Sequence, residues 1–170
     1  MVIRREQAVD VDAVQALTRD AFAAPGAGEP VEPLLLAELR DDAGWLPALS
    51  LVAVEERGTV VGHVVCTRAL VDDRPALGLG PIAVRPDFQG AGVGSALMHA
   101  VLGAAEALAE PAVVLLGDPR FYGRFGFVDA VELGIEPAVA DWAPFFQVRR
   151  LVGDLPRGRF RYAAPFERLS

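Results

Sequence analysis

The stretch Val84-Arg85-Pro86-Asp87-Phe88-Gln89-Gly90-Ala91-Gly92-Val93-Gly94-Ser95 has the residue types and spacing of a phosphate cradle. Gly90, Gly92 and Gly94 alternate with small residues, so the main chain can approach a ligand closely and take positive φ where a turn requires it. An apolar run ends at Val84 and a helix pattern opens at Gly94. The free N–H groups of that first helical turn converge on one spot, and the helix dipole favours negative charge there. The chemistry expected of such a loop is main-chain binding of a pyrophosphate. A Walker loop would carry Lys followed by Ser or Thr after its last glycine, whereas Ser95-Ala96 follow Gly94. A dinucleotide fingerprint would read G-x-G-x-x-G within a first βαβ unit, and this loop has neither the spacing nor the position. A glycine-rich strand-to-helix turn without a ligand stands as the alternative at this point.

Other reactive groups are sparse. Cys66 is the only cysteine, so no internal disulfide forms, and it reads as a small buried strand residue. With only His63 and His99 beside it, a Cys/His metal site is not expected, and no metal is assigned. His63 lies within a strand pattern and reads as core or solvent-facing. Asp118 follows the apolar run Ala112 to Leu116, where it either faces a cleft as a base or caps the turn that begins at Pro119. Glu32 and Glu38 lie on a short helix beside a Pro/Gly-rich segment and read first as solvated surface carboxylates.

The elements that must position these groups follow from periodicity. Val2 to Ala8 reads as a first strand and Asp10 as a helix N-cap. Val11, Val14, Leu17, Ala21 and Phe22 then recur at helical spacing. Pro25, Gly26, Gly28 and Pro30 break that helix, and a second helix spans Pro33 to Arg40. The segment from Pro25 to Arg40 is expected to be mobile and to order over a bound acceptor. Leu49 to Glu55 and Thr59 to Thr67 form an antiparallel hairpin around Glu56-Arg57-Gly58. Leu77 to Val84 is apolar on both faces, hence a central strand. A helix over Gly94 to Ala109 carries the stripe Val93, Leu97, Val101, Ala104, Ala105 and Leu108. Ala112 to Leu116 suits a parallel neighbour reached by a right-handed crossover. Arg120 to Phe125 forms one or two helical turns, and Phe127 to Leu133, Phe145 to Leu151 and Arg159 to Ala163 are further strand candidates. One α/β domain over residues 1–170 with a mixed central sheet and flanking helices accounts for this order.

Composition narrows the setting. The formal net charge of −7 argues against nucleic acid as a partner and is compatible with a cationic acceptor. No apolar run is long enough to cross a bilayer, so no membrane partner is expected. The N-terminus becomes charged at Arg4-Arg5-Glu6, too early for a signal peptide, so cytoplasmic residence is the default.

Gln89, Gly92 and Gly94 match the Q/R-x-x-G-x-G/A signature, and the loop resembles that of the GNAT superfamily of acyl-CoA-dependent N-acetyltransferases. Tyr122-Gly123-Arg124-Phe125-Gly126-Phe127 is similar to the Y-x-x-x-G-F run that closes the usual GNAT core. The stretch from Gly117 to Phe127 resembles most the YhbS-like branch. The resemblance implies a bulged strand at Leu77 to Val84 that splays from Ala112 to Leu116. It implies a pantetheine arm paired with the main chain of Ile82, Ala83 and Val84, and a pyrophosphate on Gln89, Gly90, Ala91, Gly92, Val93, Gly94 and Ser95. It implies acetyl-CoA as cosubstrate and an amine acceptor of undefined identity, and it is compatible with a homodimer. By the same resemblance Tyr122 is the acid that protonates the leaving thiolate and main chain near Val84 is the oxyanion donor; Asp118 is a candidate base by its position after Ala112 to Leu116 alone, since the chain departs here from the family's longer polar link with an Asn. Arg85, Arg120 and Arg124 are the cations nearest the implied CoA path. Trp142, Phe145, Phe146, Phe160, Tyr162 and Phe166 are candidates for the acceptor wall. A non-catalytic acyl-CoA-binding sensor is the competing function; Tyr122 favours the enzyme.

Overall fold

The computed structural model describes residues 1–169. Its strands are β1 (Val2–Arg5), β2 (Ser50–Val54), β3 (Val60–Val71), β4 (Arg74–Val84), β5 (Ala112–Leu116), β6 (Val128–Asp129), β7 (Ile135–Glu136), β8 (Phe146–Arg150) and β9 (Gly158–Arg161). Its helices are α1 (Val11–Phe22), α2 (Glu32–Asp41), α3 (Val93–Ala107), α4 (Pro119–Tyr122) and α5 (Ala164–Arg168). One mixed sheet runs in the order β1-β2-β3-β4-β5-β8-β6, and β9 pairs with both β3 and β7. Neighbours are antiparallel through β1 to β4, whereas β4 and β5 are parallel. The residues of α3 share a core with Leu51, Ala53, Leu77 and Val113, while Val14, Leu17 and Leu36 from α1 and α2 pack with Val52, Val65 and Ala83. Helices therefore cover both faces of the sheet, as an α/β architecture with an apolar central strand requires.

Two local features prepare the site. Opposite β3, β4 carries one extra residue: Cys66 pairs with Leu79 and Val64 with Ile82, so two steps on β3 span three on β4. This bulge falls at Gly80-Pro81, and Pro81 has no N–H to give to a ladder. The second feature is Gly62, where an added Cβ would lie 2.9 Å from Leu97 and 3.0 Å from Val93. Its bare Cα lets the N-terminal end of α3 sit close on the sheet.

Several expectations from periodicity are revised. The first strand stops at Arg5, and Ala8–Asp10 is a 3-10 turn. Asp10 does not cap α1; its carboxylate turns back to accept from the Gln7 N–H (2.7 Å) and from Arg4 (2.7 and 3.0 Å). The stretch 127–133 contributes only Val128–Asp129 as strand, because a 3-10 turn at Val131–Leu133 follows. Leu108 leaves the stripe of α3 and is half exposed. The chain turns there through Ala109 (φ 58°), with Glu110 N–H bonded to Ala105 and Ala109 N–H to Glu106, the double bond pattern that ends helices. The segment from Pro25 to Arg40 is not one unit: Pro33, Leu36 and Leu39 are buried, so α2 is a core helix and only residues 23–31 form a connecting loop. Cys66 is buried as expected, and burial pushes its thiol well up. Among the described residues no helix is long and apolar enough to cross a membrane.

A buried polar knot joins β1, β2, β3 and α2. Glu6 accepts from Arg40 and from the Ser50 hydroxyl, and His63 Nε2 lies 2.9 Å from Ser50 Oγ and 3.3 Å from Glu6. His63 is therefore core, tied to neighbours by its Nε2. Burial lowers its pKa, and its Nδ1 has no partner among the described residues. For Glu6, burial acts to raise the pKa, but hydrogen bonds from His63 and Ser50 and the charges of His63 and Arg40 outweigh it and hold the group at about 2. A carboxyl held below its unfolded value stabilises the fold above about pH 4.5 and loses that contribution as pH falls toward 2. Urea unfolding across this range should show stability falling with acidification, and Glu6→Gln should flatten that limb; an unchanged slope would remove Glu6 from the account.

Candidate active-site cleft

The cleft exists because β4 and β5 pair at only two positions, Leu77 with Val113 and Gly78 with Val114. Beyond Gly78, β4 continues to Val84 with one edge free of any strand. The Arg85 N–H donates to Val61 O at 2.8 Å. By the alternation of an antiparallel ladder, Ala83 then spends its main-chain groups on β3, and Ile82 and Val84 turn theirs to the open edge. Of the three residues expected to bind along this strand, two thus present main chain to the gap and Ala83 does not. The Val84 carbonyl accepts from Gln89 Nε2 at 3.0 Å, so Gln89 ties the loop back to the strand end.

The first lobe of the cleft, about 480 Å³, is lined by Ile82, Ala83 and Val84 on one side and by the glycine loop on the other. Gln89, Gly90, Gly92, Val93, Gly94 and Ser95 border it; Ala91 is exposed and does not. Gly90 (φ 77°) and Gly92 (φ 85°) have left-handed backbone, which explains the residue type, and a Cβ at either would meet nothing within 4 Å. The loop therefore encloses open space next to the first-turn N–H groups of α3, which have no intrahelical acceptor. An anionic diphosphate fits this cradle by charge and by room. Among the expected cations, Arg85 pairs with Asp87 and Arg120 with Asp118, whereas Arg124 borders the lobe with its guanidinium 4.9 Å from the Phe121 ring. Phe22, Phe88 and Phe121 also line it, which no local sequence signal announced.

A second lobe of about 310 Å³ continues from the first, sharing Phe22 and Ile82. Tyr122 and Leu116 border it on the β5 side, and Trp142, Tyr162 and Phe166 close it. Of the six late aromatics, these three reach the wall; Phe146 and Phe160 are buried core and Phe145 is exposed. Burial raises the Tyr122 pKa, so its phenol stays protonated at neutral pH. Burial also raises that of Tyr162, against an opposing effect of the Leu116 main chain.

Asp118 sits apart from this lobe. Its carboxylate accepts from the Arg120 N–H at 2.9 Å, capping α4, and pairs with the Arg120 guanidinium at 2.9 Å. Those bonds lower its pKa, and it borders a separate hollow with Asp141 and Phe145. The geometry is that of a helix cap; Tyr122 and Asp118 are not brought together on one cavity.

The sequence profile of the Acetyltransferase (GNAT) domain matches residues 47–129. The uncharacterized N-acetyltransferase YhbS of Escherichia coli K12 is 34% identical over 160 residues, covering 93% of this chain and 92% of that protein. The crystal structure of the Escherichia coli GNAT family N-acetyltransferase YhbS in complex with CoA superposes with a TM-score of 0.89 at 30% identity, covering 99% of this chain and 93% of that one. A GNAT family acetyltransferase from Brucella melitensis, in complex with acetyl-CoA, superposes at 0.81 with 30% identity and 97% coverage of both chains.

Tyr122 is placed by a glycine. A Cβ at Gly117 would lie 2.2 Å from the Tyr122 ring, and Gly117 is itself fixed by donating to Phe145 O (2.9 Å) and accepting from the buried Gln147 amide (2.8 Å). Gly117→Ala forces the ring or the strand end to move, an overpacking cost of about 1–3 kcal/mol. Urea denaturation should show that loss and its partial recovery in Gly117→Ala/Tyr122→Ala; equal stability of Gly117→Ala and wild type would mean that the ring does not rest there.

Proposed function

The chain belongs to the GNAT acetyltransferase family, and from that membership we propose that it moves the acetyl group of acetyl-CoA onto an amine by direct attack in a ternary complex. The observation that supports this reading is the continuity of three parts: the glycine cradle, the open edge of β4 and a second lobe with a phenol at its border. A cosubstrate whose diphosphate rests on residues 89–95 would run its pantetheine amides along the exposed main chain of Ile82 and Val84, in the manner of an added strand. Its thioester then lies where the two lobes meet. Cytoplasmic residence accords with a composition that has no cysteine pair for an internal disulfide.

In this scheme the amine nitrogen bonds to the thioester carbonyl carbon and the carbon–sulfur bond breaks. The Ile82 N–H, on the open edge where the two lobes meet, donates to the oxygen that gains charge. Sulfur leaves with its electron pair and takes the Tyr122 phenolic proton. The attacking nitrogen releases a proton to solvent, and solvent restores one to the phenolate, so atoms and charge balance. A phenol of reference pKa about 10, raised further by burial, is a weaker acid than a thiol of pKa about 8.5, so proton transfer to the thiolate is slightly uphill and the assistance, a hydrogen bond to sulfur as its charge develops followed by the proton, is modest. Asp118 keeps the role of helix cap, and solvent reaching the lobe takes the amine's proton.

A sensor of acyl-CoA without turnover would need the first lobe alone. The second lobe and the phenol on its border favour the enzyme.

Two measurements test the reading. Gly92→Val puts a branched side chain into the cradle at a left-handed position; calorimetry should show loss of CoA binding by at least about tenfold in a protein that still folds, since such strain costs about 1–3 kcal/mol. Unchanged CoA affinity would move the diphosphate elsewhere. Tyr122→Phe keeps the ring and removes the donor; thiol release from acetyl-CoA with an amine panel should slow by about 10²-fold with acetyl-CoA affinity retained. Full turnover in Tyr122→Phe would leave solvent as the acid, and no thiol release by wild-type protein with any amine would favour the sensor.

A further inference from the structure

The second lobe is built for a particular kind of amine. Its walls are hydrocarbon and aromatic: Phe22, Leu35 and Leu79 on one side, Trp142, Tyr162 and Phe166 on the other. Tyr162 and Phe166 stack at 4.4 Å, and Trp142 meets Tyr162 edge-on at 6.3 Å, so the aromatic side is one continuous surface. Tyr162 rests on Gly78, where a Cβ would lie 2.6 Å from its ring; the wall is thus seated on the last residue that β4 pairs with β5. A volume of about 310 Å³ equals roughly ten waters of liquid, enough for one ring system and a short arm.

Against this apolar surface stands one charge. Glu32, in the first turn of α2, is the only ionisable group other than the two phenols among the lining residues, and none of them is Lys, Arg or His. The arginines of the neighbouring elements are engaged elsewhere: Arg40 on Glu6 and Arg168 on Glu38. Among the described residues Glu32 forms no ion pair. An ammonium group entering here finds a carboxylate and aromatic faces, both of which attract it. A free carboxylate entering here finds Glu32 and no cation, so it loses its water with no compensating partner. A small hydrophilic amine gains the ion pair but leaves the aromatic wall uncovered.

We propose that the acceptor is a small primary amine carried on an apolar, ring-sized body without a carboxylate, held by Glu32 at its ammonium and by the Trp142–Tyr162–Phe166 wall at its body. The assignment rests on the transferase reading above and specifies its substrate class. Glu32 sets specificity by binding the charged form; the amine then sheds its proton to solvent before it attacks.

The test is thiol release from acetyl-CoA with four probes: 2-phenylethylamine, its carboxylated counterpart phenylalanine, ethanolamine, and a short peptide amide with a free N-terminus. The proposal requires kcat/KM for 2-phenylethylamine to exceed each of the others by at least about tenfold, the range that a hydrophobic site with one polar anchor discriminates. Glu32→Gln should raise KM for 2-phenylethylamine by about tenfold with little change in kcat, the signature of a lost ground-state contact, and should narrow the gap to phenylalanine. Retained acetyl-CoA affinity in that variant, measured by calorimetry, shows that the protein is folded. Phenylalanine, ethanolamine or the peptide serving as well as 2-phenylethylamine would overturn the assignment while leaving acetyl transfer in place. An unchanged KM in Glu32→Gln would also overturn it. Binding of acetyl-CoA with no thiol release from any probe would overturn the transferase reading and this assignment together.

Discussion

Everything functional in this molecule depends on β4 and β5 parting after the pair Gly78–Val114. A parallel pair that stayed in register would spend the main chain of Ile82 and Val84 on a neighbour and close the sheet. The parting converts a buried strand into an exposed edge in the middle of the molecule, normally an unstable arrangement because unpaired N–H and C=O groups invite pairing with another chain. Here the open edge is guarded by its surroundings: α1 brings Phe22 over it, α4 brings Tyr122 to its side, and the loop after β4 folds back through Gln89. The bulge at Gly80-Pro81 supports the parting by adding a residue to β4 alone, and Pro81 has no N–H left over.

The sequence made the donor side legible because its signals are local. Left-handed glycines at Gly90 and Gly92, a helix opening just beyond, and an apolar strand just before are all properties of one short stretch, and they reappear in space as one lobe. Tyr122 could be located by its spacing from Gly126-Phe127, and the structure puts it on the border of the second lobe. What resisted reading depends on contacts between distant segments. That Ala83 faces β3 is fixed by a register set with Val61, far back in the chain. That Gly117 and Gly78 are glycines so that two tyrosine rings can lie against them follows from α4 and the segment after β9 arriving there, which no spacing rule predicts. The candidate strand from Phe127 to Leu133 is cut short for a related reason: its apolar run satisfies both a strand and a sequence of tight turns, and only Val128 and Asp129 find a partner in β8, whereas Phe145 to Leu151 and Arg159 to Ala163 largely become β8 and β9. Asp118 shows the converse, where the bland local reading of a helix cap is the one that the geometry displays.

Charge is distributed with economy around this cleft. Acid–base pairs such as Arg85–Asp87, Arg120–Asp118 and Arg168–Glu38 neutralise one another at the surface, where each contributes little to stability. Their consequence is electrostatic silence: of the ionic groups near the two lobes, Arg124 at the first and Glu32 at the second are those outside such pairs among the described residues. Under the proposed reading, a phosphate-bearing cosubstrate and an ammonium-bearing acceptor would meet fields of opposite sign at opposite ends of one cleft.

The second lobe takes Glu32 and its aromatic wall from α1, α2, the 3-10 turn around Trp142 and the segments after β9, and the rest of its lining from β4, β5 and α4. The cradle and the open edge come from the middle of the chain. Glu32 and the aromatic wall thus lie on stretches of the chain separate from the glycine cradle. Under the proposed reading, exchange of the terminal segments between related proteins would redraw which amine is admitted while the cradle and the open edge pass intact from one to the next.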